Sequence, residues 1–182
     1  MSDKKKTTHN KELSARLMAV QAYYQNLQNK KPMSAVISEY LKRGLADDEI
    51  DEEFVQPHGG LFKRILSALD DRGAEVNEIL SANINKKEIP ADIIEKENDE
   101  ADQNEEQEEE QEEEPIKRPE KEIEPLLKSI LLCGTSELLC HQDIDKALII
   151  DDYLNVTHAF YEKQQVSFVN GVLDKIATLV RE

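Results

Sequence analysis

The chain has 182 residues, a formal net charge of −16 and only 38% hydrophobic residues. Most of that charge is local: residues 95–114 hold thirteen acidic side chains against one lysine, so the pI of 4.7 describes one segment rather than the whole chain. No apolar run is long enough to span a bilayer, and the lysines of MSDKKKTTHNKEL lack the apolar stretch of a secretory signal, so a cytoplasmic protein of one domain, or two very small ones, is expected.

The first helix is expected over residues 10–28. Leu13, Leu17, Val20, Tyr24 and Leu27 step by alternating fours and threes, which draws one narrow apolar seam. Pro32 opens a second helix, as proline does in a first turn. Met33, Val36, Ile37, Tyr40 and Leu41 form its apolar face, and Gly44 is its expected stop. An acidic loop, Asp47–Glu53, and the breaker cluster Pro57, His58, Gly59 and Gly60 follow. A third helix spans about 60–84, with Leu61, Phe62, Ile65, Leu66, Leu69, Val76, Ile79 and Leu80 inward.

Residues 88–122 differ in kind. They are rich in glutamate and poor in apolar side chains, and they close with Pro115 and Pro119. Such a segment buries too little surface to offset the entropy of ordering it, and is expected to be a disordered insertion. Three more helices are expected beyond it, over about 123–139, 145–161 and 166–181. Asp143 or Asp145 can cap the middle one. In the last, Phe168, Val169, Val172, Leu173, Ile176, Ala177, Leu179 and Val180 form a wide stripe. Gly171 interrupts that stripe and suggests close packing against another backbone. Sustained strand alternation is absent, so the fold class is all-α, two small three-helix bundles packed together. The expected division is a flexible basic arm at 1–9, helical subdomains at 10–87 and 123–182, and the insertion at 88–122.

Catalytic and cofactor-binding patterns are missing. There is no phosphate-binding glycine loop and no nucleophile elbow. His9, His58, His141 and His158 are scattered, and Cys140-His141 has no second pair at metal-ligand spacing. No catalytic residue, metal site or cofactor is expected. Cys133 and Cys140, about two turns apart on one helix, are too distant for a disulfide and read as buried free thiols. Asp151 and Asp152 read as a solvated acidic face. Lys4, Lys5, Lys6, Lys11 and Arg16 form a basic patch able to meet phosphates.

Three stretches in order, ARLMAVQAYYQ from Ala15, KSILLCGTSELLCHQDIDKALI from Lys128 and FVNGVLDKIA from Phe168, resemble the NusB family of bacterial transcription antitermination factors. The last is the most specific of them, and the resemblance covers about residues 12–84 and 122–181. It implies the same two-bundle fold and a non-enzymatic role. It also implies an RNA-contacting arm near Lys4–Arg16, an RNA-bordering loop at Lys163, Gln164 and Gln165, and a partner contact at Tyr24, which by spacing alone belongs to the core. The chain departs from the family in three ways. Glu12, Leu13 and Ser14 stand where several arginines are usual, Ser136 and Leu132 replace a tyrosine and an arginine, and the acidic insertion replaces a short connection.

The implied function is an adaptor that pairs with NusE, a small-subunit ribosomal protein, on boxA RNA of ribosomal leader transcripts within the RNA polymerase antitermination complex. The alternative is a helical protein-interaction adaptor whose RNA binding is reduced, or autoinhibited by the polyanion.

Overall fold

The computed structural model describes residues 2–46, 56–84, 89–90 and 123–181, with the backbone alone at 2–9 and 43–46. The described residues form six helices and no strand: α1 Ser2–Asn29, α2 Met33–Ala46, α3 Gly59–Asn83, α4 Pro125–Cys140, α5 Lys146–His158 and α6 Lys163–Val180. Of the insertion expected to be disordered over 88–122, Ile89 and Pro90 are described and buried, with Ile89 part of the core, so the expectation fails at that end; the acidic run at 95–114 lies outside the described residues.

Helix α4 is the axis of the molecule. Leu127 and every residue from Ser129 to Leu138 are buried. Its sequence, PLLKSILLCGTSELLC, is apolar on all sides, as a helix must be when neighbours surround it. α1 and α3 pack on it from the N-terminal half, and α5 and α6 from the C-terminal half. The two halves thus share one continuous apolar core. Arg181, just past α6, closes the end of α4. Its guanidinium donates to the carbonyls of Leu138, Glu137 and His141 at 2.7, 3.0 and 2.8 Å, and to that of Ile144 at 2.5 Å. Leu138 O is one of the last-turn carbonyls that a helix end leaves without an intrahelical partner, whereas Glu137 O also accepts from His141 N, and His141 and Ile144 lie just past α4.

Several expectations are corrected. α1 begins at Ser2, so Lys4–Lys6 continue a helical backbone rather than a separate arm; lysine is a good helix former. The face of α1 turned into the core is Ala15, Arg16, Ala19 and Ala22, with Val20 at its flank. The larger Leu13 and Leu17 pack at its edge, and Tyr24 and Leu27 remain 37% and 36% exposed. Small side chains let α1 come close to its neighbours, and the leucine seam is displaced to the border. α2 runs through Gly44 to Ala46. Cys133 is buried and Cys140 is partly exposed, and both are free.

Gly171 is the clearest reversal: it is exposed, and a β-carbon added there would meet nothing within 4 Å. The tight glycine is Gly134 on α4, where an added β-carbon would lie 3.0 Å from Leu173 Cδ2 of α6 and 3.4 Å from Tyr153 Cδ2 of α5. Of the two candidate caps for α5 it is Asp145 that acts, its Oδ1 accepting from Ala147 N at 2.7 Å. The N-terminus of α3 is capped by His58, whose Nδ1 accepts from Leu61 N at 3.0 Å.

Candidate nucleic-acid and partner interface

Arg16 is the basic residue nearest the family-like phrase, and it is fully buried. Its Nε and Nη2 donate to Glu137 of α4 at 3.1 and 2.5 Å, and its Nη1 donates to Asp152 of α5 at 2.6 Å. The Tyr153 hydroxyl donates to the same Glu137 carboxylate at 3.0 Å. Arg16 is therefore withdrawn from the set of RNA contacts: a guanidinium with no solvent exposure and three bonded nitrogens has nothing to offer a phosphate. Asp152 is likewise no part of a solvated acidic face; it is wholly buried, while Asp151 is exposed.

The electrostatics of this cluster are self-consistent. Burial works against the charge of Arg16, but Glu137, Tyr153 and Asp152 outweigh it and raise its pKa. Burial likewise pushes the Glu137 carboxyl up, yet His141, with Nδ1 3.9 Å away, and Arg16 hold it below its ordinary value. The Tyr153 phenol is raised by burial and then by the Glu137 charge, so it stays protonated and keeps donating. On the next face of α1, burial and Cys133 push Tyr23 up to about 12.

The remaining site residues fall at two places. Lys11 is exposed on α1, and its carbonyl accepts from His58 N at 3.0 Å. The backbones of Lys4, Lys5 and Lys6 continue the same helix. Lys163 and Gln164 are exposed but belong to the first turn of α6, not to a loop. Gln165 is only 4% exposed, so its side chain faces inward and is removed from the RNA contacts. Arg16 meets Glu137, and Tyr23 further along α1 lies beside Cys133, one turn back on α4, so α1 runs antiparallel to α4. Lys11 therefore stands near the C-terminal end of α4. Lys163 follows Tyr161, whose hydroxyl is hydrogen-bonded to Glu124 at the N-terminal end of α4. The two groups are not brought together; the span from Glu124 to Glu137 alone is about 20 Å at ~1.5 Å per residue.

Tyr24 and Leu27, one turn apart on α1, form a partly exposed apolar pair, displaced from the core position suggested by the seam. A cleft of about 430 Å³ between the end of α3 and α6 is lined by Asn83, Gln164, Ser167, Gly171 and Lys175 among others. Lys175 Nζ donates to Asn83 O there at 3.3 Å. Among the described residues no His, Cys, Asp and Glu cluster has the arrangement of a metal site.

Sequence reasoning gave Glu137 no role, placed Asp152 on a solvated face and took Tyr153 only as an apolar core residue. The signal was present in Glu137, a lone carboxylate inside the run SILLCGTSELLC. A charge on an all-round apolar helix needs a buried counter-ion, and Arg16, set among alanines, was the matching clue.

The NusB family model matches residues 103–178. The chain is 27% identical over 168 residues to the transcription antitermination protein NusB of Novosphingobium aromaticivorans, covering 92% of this chain and 93% of that one. It is 24% identical to the NusB of Nitrobacter hamburgensis, with 94% and 89% covered. The solved structure of T. maritima NusB has the same fold, with a TM-score of 0.57 at 15% identity, covering 91% of this chain and 89% of that one. Family match, full-length relatives and helical architecture agree, and all of them make this chain similar to proteins of the NusB family.

Proposed function

We propose that this protein is a transcription antitermination adaptor that binds boxA-type RNA together with the ribosomal protein NusE, within the RNA polymerase antitermination complex in the cytoplasm. The observation that carries the reading is the full-length similarity to proteins named transcription antitermination protein NusB. That family is one of transcription factors, and the protein is not an enzyme. Exposed Lys11 and the α1 lysines Lys4, Lys5 and Lys6 would meet the RNA backbone at one end of the molecule. Lys163 and Gln164 would meet it at the other, with the amide able to bond base edges of a single strand. Tyr24 with Leu27 would supply the apolar contact to NusE.

Titration of labelled boxA RNA with the protein alone and with NusE, over a salt series, tests this. Binding should tighten with NusE. Lys11→Ala and Lys163→Ala should each flatten the log K against log salt slope by about 0.7. Absence of RNA binding under every condition would overturn the reading. The burial of Arg16 and Gln165 favours a second reading, a protein-interaction adaptor with reduced RNA affinity. NusE binding with a flat RNA titration would select it.

A further inference from the structure

We infer that Arg16 is a positioning residue: it fixes the rotation and register of α1 on α4 and α5, and thereby where α1 presents Lys11 and Tyr24. The part concerning Lys11 and Tyr24 rests on the function proposed above; the part concerning α1 does not.

Three observations lead here. First, the guanidinium is bonded through Nε, Nη1 and Nη2 to two carboxylates on two different helices, Glu137 on α4 and Asp152 on α5. One placement of α1 satisfies all three bonds. A one-residue rotation turns Arg16 by about 100°, and a one-turn slide carries it about 5.4 Å; either breaks all of them. Second, most of the face that α1 buries there is low in relief: Ala15, Ala19 and Ala22 are fully buried around Arg16, with Val20 the larger apolar side chain buried beside them. Apolar contact is non-directional, and methyl groups offer few ridges to lock one helix against another. The direction has to come from the polar cluster. Third, the cluster is costly as a source of stability. Two carboxylates, a guanidinium and a phenol are all removed from water, and an apolar set of similar volume often matches or exceeds such a group in stability.

Lysine cannot take over the role, because one ammonium cannot reach along three separate bond directions as a planar fork does. Lys11 lies five residues before Arg16 on the same rigid helix, and Tyr24 lies eight after it. Any rotation at Arg16 therefore moves both.

The test is a distance measurement across the α1–α5 contact. Gln21→Cys and Asn155→Cys, both at exposed positions, carry spin labels in a Cys140→Ser background; Cys133 is buried. The chain with Arg16 should give one narrow distance distribution. Arg16→Lys, which keeps the charge and loses the fork, should broaden or shift it. So should the apolar replacement Arg16→Met, Glu137→Met, Asp152→Leu, Tyr153→Phe, even where its melting temperature equals the parent's. In a second arm, boxA RNA with NusE should bind these variants roughly tenfold more weakly, the equivalent of one lost charged contact. An unchanged distribution in Arg16→Lys overturns the inference, whatever the apolar replacement does. If the parent fails to bind RNA, the proposed function falls while the distance arm still decides the role of Arg16.

Discussion

Truncating one side of the Arg16 cluster leaves buried charge behind, and that sets the first prediction. Arg16→Met should destabilise the fold by about 3–5 kcal/mol, because Glu137 and Asp152 lose their counter-ion; urea denaturation measures it. The second concerns pH. The folded-state pKa of Glu137 is depressed. Its contribution is therefore present above the unfolded value of about 4.3 and is lost as pH falls through the lower folded value. The stability gap between parent and Glu137→Gln should be constant near neutrality and shrink in acid below about pH 4; a gap that widens in acid would contradict the assignment. The third sets two glycines against each other. Gly134→Val should cost about 1–3 kcal/mol through overpacking against Leu173 and Tyr153. Gly171→Ala should be neutral or stabilising by up to about 1 kcal/mol, since it adds a methyl group in open space on an exposed helix face. Thermal unfolding of the pair separates the two sites.

At the level of the element, the cap of α5 is a single bond from Ala147 N to Asp145. Asp145→Ala should lower stability by about 0.5–2 kcal/mol, and Asp143→Ala should leave the α5 cap intact; circular dichroism melts of the two variants distinguish them. All six helices were legible in the sequence, because five carry a 3.6-residue pattern and α4 a long apolar run that opens at Pro125. Their inward faces were less so. α1 turned its alanines inward because its neighbours come close, whereas periodicity weights leucines and cannot see approach distance. Gly171 misled for the same reason: a glycine marks either a tight contact or an open one, and only the neighbouring helix decides. The pairing of Arg16 with Glu137 was hidden because 121 residues separate them. Composition gave each charge a sign, but not an address.

On the scale of the whole molecule, the expected RNA contacts lie at two ends of α4 rather than on one patch. Removing Met1–Lys6 should therefore weaken RNA binding and flatten its salt dependence while leaving the contribution of Lys163 in place; a salt series on the truncated chain, with and without Lys163→Ala, reads the two ends separately. The central position of α4 also bears on the order of synthesis. α1 and α3 are complete by Asn83, but the helix they pack against begins only at Pro125. At about 5–20 residues per second, roughly two to eight seconds of elongation separate them. Through that interval the nascent N-terminal half carries an apolar face with its main template still unmade. Translation past α4, more than any local event in the first 122 residues, is then the step that commits the chain to its native state. A ribosome-bound chain stalled before Pro125 should stay sensitive to protease along α1 and α3, and one stalled after α6 has emerged should resist.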